Sequence, residues 1–399
     1  MSTYNDASLI YYPSGYKAGK AYSLKPTDGS GDLTFTRASS ATRVSEQGLI
    51  EEVATGVPRI DYTGGGCGKL LLEPQRTNVI VQSENLDNAS AWPTNNITSI
   101  NSDFATSPSG ATTADKINYG SGNAFIRTNS TLTAASSASI FVKYVDFPFI
   151  QIMMSGDANH YANFDIQNGT IGSVGSASTA AIEDYGNGWY RIILNALTGT
   201  FNGSARFYKI DTLAKVWAQG GGVAGSFLMW GGQYELGTYP TSYIPTTTTA
   251  VTRVADDARK NGISSLIGQT EGVFYFEFDY KKNQINSALF QTSLGTTNAI
   301  YVLCLSDFKL RFIINLGGAS QVSITTATVP NLGLNKVALA YKLNDAAFYL
   351  NGTQIGVDNS CLIPAVDSIY LTNANQNTQA FMTFPTRLSN AELETLTTL

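Results

Sequence analysis

Glu277 and Asp279, in FYFEFDYKK, are the carboxylates whose spacing could do chemistry. Residues two apart on a strand point to one face, so the two share a surface. Hydrolysis of a glycosidic bond with retention needs two carboxyls roughly 5 Å apart, one as nucleophile and one as acid/base. Three residues beyond Asp279, where a second glutamate would be needed, the chain has Lys282, a cation. The acid/base is therefore missing, and hydrolysis is not expected here. Phe274, Phe276, Phe278 and Tyr280 fill the alternate face and read as core.

Other reactive residues are few. The one histidine, His160, excludes a two-histidine metal site within the chain. It has no GxSxG elbow to serve, so a turn or strand edge is its expected place. Cys67, Cys304 and Cys361 lack CxxC spacing and read as reduced thiols. TGGGCGK lacks the phosphate-loop spacing, because Leu70 follows Lys69, and reads as a glycine turn. Asp157, Asp165, Asp345 and Asp358 are candidate Ca²⁺ ligands near turns, where turn chemistry also explains them. No other cofactor is expected. Sugar rings stack on exposed aromatics. Of the four tryptophans, Trp189 and Trp230 sit in regular strands and read as core, leaving Trp217 and Trp92 as the candidate carbohydrate-binding residues.

The elements that must position these residues are strands. Charged residues make up only 14% of 399, so the polar surface comes from Thr, Ser, Asn, Gly and Tyr, which favour strands and tight turns. Alternation is clear in SIFVKYV, WYRIILNAL and GVFYFEFDY. Asn168-Gly169 and Asn351-Gly352 mark hairpins. In LTFTRA the arginine falls out of step, because Arg37 takes the apolar phase of Leu33 and Phe35. Ser389 to Glu392 is a capping box opening a short C-terminal helix, with Leu388 and Leu393 as its staple.

These patterns predict an all-β chain with two antiparallel jelly-roll β-sandwiches in tandem. Residues 1–32 read as an N-terminal extended arm or a lead-in strand. Residues 33–80 read as lead-in strands on the first sandwich, 81–258 as that sandwich, and 259–399 as the second. The Pro- and Thr-rich segment 237–250 reads as ordered extended chain, with TTAVTRV lying against 35–44 to close the first sandwich. A net charge of −5 with no basic run argues against a nucleic-acid partner. No apolar run reaches the length needed for membrane insertion as a helix, and no secretory signal is evident.

Residues 33–80, LTFTRASSATRVSEQGLIEEVATGVPRIDYTGGGCGKLLLEPQRTNVI, resemble a segment recurring in bacteriophage virion proteins. There FTRAS, GLI, PRxDY and LLxExQRTN follow one another at this spacing. GGQYELGTYPTSYIPTTTTAVTRVAD continues the similarity. In such proteins the middle module resembles a carbohydrate-binding sandwich. The last region is similar to concanavalin A-like and laminin-G-like jelly rolls. Sandwich-fold glycosidases of the laminarinase type set Glu-x-Asp-x-x-Glu on one strand, a pattern this chain breaks at Lys282.

The resemblance implies a non-enzymatic structural protein of a virion, a fibre or decoration protein made in the bacterial cytoplasm. Its partners would be other virion proteins and surface glycans. A phage fibre would commonly be a homo-oligomer, often a trimer, although no heptads support one here. Residues 1–32 lie outside the matched strings, which fits a virion attachment arm. Two other classes stay open from sequence: a glycan-cleaving depolymerase and a purely architectural capsid or tail protein.

Overall fold

The computed structural model describes residues 3–154, 158–197, 203–216, 222–281, 286–372 and 374–399. Among them the chain is all-β, with two antiparallel sandwiches and a C-terminal helix at Asn390–Thr397.

One sandwich pairs an eight-stranded with a nine-stranded sheet. In the first, Glu271–Tyr280 lies between Gly333–Lys342 and Gln376–Phe384. Phe274, Phe276, Phe278 and Tyr280 point inward to the main core, as their alternation predicts. Val273 and Tyr275 point outward and join a second apolar layer with Leu388 and Leu393 of the terminal helix. That helix opens on the expected capping box. Glu392 N–H donates to the Ser389 hydroxyl, while Ser389 N–H donates to Glu392 Oε2 at 2.8 Å.

The expected domain boundaries need correction. Residues 3–32 are no free arm. Leu9–Tyr11 pairs with Gln376–Phe384, Leu9 opposite Thr383. Lys20–Ala21 and Leu33–Thr36 enter the nine-stranded sheet, where Leu33–Thr36 pairs with Asp257–Lys260. Arg59–Asp61 and Lys69–Leu72 extend the eight-stranded sheet through Gln376–Phe384. Three strands of 33–80 thus build the second sandwich, not the first. The cause is burial: Leu9, Tyr11, Leu33, Phe35, Leu70 and Leu72 supply apolar side chains that this core would otherwise lack.

The other sandwich, two six-stranded sheets between Thr94 and Leu236, is therefore an insertion. The chain leaves the jelly roll along Arg76–Asn78 and returns along Val251–Arg253. These two segments pair as an antiparallel ribbon, Val251 opposite Asn78. TTAVTRV accordingly forms its ladder with 76–78. Its contact with the early region is a single bond, Val254 N–H to Ser39 Oγ at 2.9 Å, and the ladder to Leu33–Thr36 starts at Asp257.

The two Asn-Gly hairpins differ. Asn351 and Gly352 both take positive φ, and Leu350 pairs with Thr353, the expected two-residue turn. At Asn168-Gly169 only the glycine has positive φ, and Asp165 pairs with Thr170 across a four-residue loop.

Removing residues 1–36 tests the nesting. An arm would be dispensable, but here the truncation is expected to leave the C-terminal sandwich unable to fold. Phe35→Ala should lower the free energy of unfolding by about 3–5 kcal/mol, measured by denaturant titration with near-ultraviolet circular dichroism.

Candidate functional site

The ribbon does not hold the sandwiches together alone. Around it lies a buried network of charges. Arg37 follows directly on the strand Leu33–Thr36 and takes its inward phase. It donates to Asp256 Oδ1 at 3.1 Å and to the carbonyls of Ser39 (2.9 Å) and Ala54 (2.8 Å). Arg59 donates to Glu73 Oε2 at 2.6 Å and to the other oxygen of Asp256. Arg253 donates to Glu73 Oε2 at 2.7 Å. Glu73 also accepts from the Ser242 N–H and hydroxyl, both at 2.7 Å. All five charged side chains are at most 2% exposed.

Burying ions is costly unless pairing is complete. Here the Glu73 carboxylate remains charged. Burial pushes Glu73 toward neutrality, but Arg253 and Arg59 outweigh it and hold its carboxyl well below the usual range. Asn78 completes the joint. It is buried and uses both amide ends, donating to Gly232 O (3.0 Å) and Ile244 O (2.9 Å) and accepting from the N–H of Ile80 (3.1 Å) and Tyr234 (3.0 Å).

An apolar contact backs the polar one. The hairpin of Ala41–Val44 and Ile50–Val53 projects from the jelly-roll side toward the inserted sandwich. Its Ile50 joins Phe141, Trp189, Leu228, Trp230 and Tyr243 on the outer face of one inserted sheet. Its N–H donates to Pro108 O at 2.9 Å.

Beside this joint a cleft of about 560 Å³ opens between the sandwiches, within the size range of small-ligand sites. Thr179, Glu183 and Asn195 of the inserted sheet line one wall. Asp279, Lys281, Asn375 and Asn377 line the other. The floor is Thr238–Tyr243, with the half-buried ring of Tyr239. Arg76 lies over that ring, 5.1 Å from its centroid. The floor is tied to the network. Thr241 N–H and hydroxyl donate to Glu235 at 2.8 Å each, and Ser242 is held by Glu73. Burial raises the Glu235 carboxyl above its ordinary value.

The residues expected from sequence fall elsewhere. Trp92 is fully buried in the core of the inserted sandwich, and its indole N–H donates to Gln82 O at 2.8 Å. No ring face is left for a sugar, which corrects that expectation. Trp217 and Asp157 lie outside the described residues, as does Lys282. Trp189 and Trp230 are core, as read. Glu277 accepts from the Tyr275 hydroxyl, and Asp279 is paired with Lys69 at 2.7 Å, so the two carboxylates share a face but each is engaged. Asp165 caps its own turn, accepting from the N–H of Gln167 and Asn168 at 3.0 Å. Asp345 pairs with Arg387 at 2.7 Å, and Asp358 accepts from Ser360 N–H at 2.9 Å. His160 is buried. The three cysteines are free thiols.

Sequence reading missed the cleft because its walls come from positions as far apart in the chain as Thr179 and Asn377. It did contain one signal for the joint. An arginine on the buried phase of a strand, as Arg37 is, demands a buried acidic partner.

No family model matches the chain, and no curated protein matches it. Solved structures do. The chain is similar to the CBM40 of the Ruminococcus gnavus IT-sialidase bound to α2,3-sialyllactose, at 12% identity over 34% of this chain and 86% of that one, with a TM-score of 0.29. It is similar to domains LG4-5 of the mouse laminin α1 chain, at 11% identity over 66% and 84%, with a TM-score of 0.22. It is also similar to the Trypanosoma rangeli sialidase in complex with 2,3-difluorosialic acid, at 12% identity over 71% and 60%, with a TM-score of 0.28. At these values they carry no inference about ligand or activity.

Glu73→Gln tests the joint. It leaves Arg59 and Arg253 short of a counter-charge and should cost about 3–5 kcal/mol. The pH dependence follows in sign. A depressed carboxyl contributes stability that is present above about pH 4.5 and lost as pH falls below it. Thermal melts from pH 7 to pH 3 should therefore show a steeper acid loss in the native protein than in Glu73→Gln.

Proposed function

We propose that this protein is a non-enzymatic structural component of a bacteriophage particle that presents two sandwiches as one rigid unit and binds glycan in the cleft between them. The observation that carries the reading is where the phage-like strings fall. Arg37 of FTRAS, Arg59 of PRIDY, Glu73 of LLLEPQRTN, Ser242 of TSYIPT, and Arg253 and Asp256 of TRVAD are the members of one buried network. The resemblance is thus a resemblance of the joint. A joint of this kind favours a display protein, because buried ion pairs suit fixing a geometry better than adding stability.

The cleft supports the glycan part. It is open and lined by amides, hydroxyls and tyrosine rings, the groups that bind sugar hydroxyls and ring faces. Hydrolysis is not favoured, since Asp279 is held by Lys69 and Glu277 faces Tyr275. Virion partners and a homo-oligomeric, trimeric assembly belong to the same proposal, as does synthesis in the bacterial cytoplasm. Ca²⁺ binding is not part of it.

Two measurements test the proposal together. Mass spectrometry of purified particles should recover the chain in stoichiometric amount. The purified protein should bind host-envelope glycans on an array without releasing reducing ends. Binding to other particle proteins with no glycan bound would favour the purely architectural alternative. Release of reducing ends, abolished by Glu277→Gln, would favour the depolymerase.

A further inference from the structure

Resting on the glycan reading of the cleft, we infer that the ligand is an oligosaccharide bearing a carboxylate, received by Lys281 and Asn377. The charges around the cleft decide this. Asp279 is neutralised by Lys69 at 2.7 Å. Asp61 accepts from the N–H of Val44 (2.9 Å) and Thr63 (3.0 Å) and is buried. Arg43 is paired with Glu51 at 2.7 Å. Glu183 stands opposite Arg191 on the adjacent strand and is one of the charges acting on that guanidinium. Glu73 is held by Arg253, Arg59 and Ser242, with Lys281 the weakest of the charges acting on it.

Lys281 differs from these. Its side chain is exposed on the wall and makes no ion pair among the described residues. Its ammonium donates to Asn377 Oδ1 at 3.1 Å. That bond orients the buried Asn377 amide and leaves its N–H₂ without a partner among the described residues, beside the ammonium. An ammonium with two donors to spare and an adjacent amide N–H₂ is a donor set for a carboxylate.

The other charges around the cleft offset one another. The guanidiniums of Arg37, Arg59, Arg76 and Arg253 are matched in number by the carboxylates of Glu73, Glu235, Asp256 and Asp61, and Arg191 faces Glu183. Lys281 is thus left as the wall cation outside an ion pair among the described residues, and a neutral sugar would give it no counter-charge.

The test is an array of acidic and neutral glycans in which every carboxylated glycan is also printed as its methyl ester, read with native protein and with Lys281→Gln and Asn377→Asp. The inference expects carboxylated hits that weaken at least tenfold on esterification, weaken about tenfold in Lys281→Gln, and lose affinity as salt is raised. Asn377→Asp, which puts a negative charge where the carboxylate would sit, should weaken binding further at an unchanged melting temperature. Hits that are neutral, or that survive esterification and Lys281→Gln, would overturn the carboxylate assignment and leave the glycan reading standing. An array with no hits would overturn both.

Discussion

The paired burial of Arg37, Arg59 and Arg253 with Glu73 and Asp256 is the constraint on which the arrangement of this molecule depends. These groups come from the start of the chain, from the exit to the inserted sandwich, and from the return. No one segment can satisfy its charge alone. Desolvating any of them without its partners costs several kcal/mol, so the five positions are fixed together or not at all. The ribbon between Arg76–Asn78 and Val251–Arg253 can then have only one register, and the cleft beside it acquires a fixed floor.

Nesting follows from the same logic. The jelly roll draws on Leu9, Phe35 and Leu70 from one end of the chain and on Phe276, Phe312 and Phe381 from the other. An insertion that enters and leaves at one point disturbs neither end. The inserted sandwich has a separate core, built on Trp92, Ile140, Ile152 and Phe207. What couples the two cores is polar at the ribbon and apolar at Ile50 and Trp230. The couple sets orientation, while each core supplies its own stability.

Local features were legible in the sequence because they depend on neighbours in the chain. The all-β class, the inward face of Glu271–Tyr280, the Asn351-Gly352 turn and the Ser389 capping box all follow from spacing within ten residues. The nesting was not legible, since Leu9 pairs with Thr383 and nothing near Leu9 encodes that partner. Trp92 was misread for a related reason. A tryptophan outside a regular strand pattern carries no local sign of burial, but the core of its sandwich closes over it and Gln82 O satisfies its N–H. The cleft was illegible because it belongs to neither sandwich. Arg37 was the one visible clue, as a charge placed where the strand pattern required an apolar side chain.

If the account is right, the sandwiches form one rigid body in solution. Spin labels at Thr133→Cys on the inserted sandwich and Ser306→Cys on the jelly roll, with Cys67→Ser to remove the exposed thiol, would report the distance between them by pulsed electron resonance. One narrow distance distribution is predicted at neutral pH, broadening in Glu73→Gln. A broad distribution in the otherwise native protein would contradict the account, because two sandwiches free to move cannot share a defined cleft.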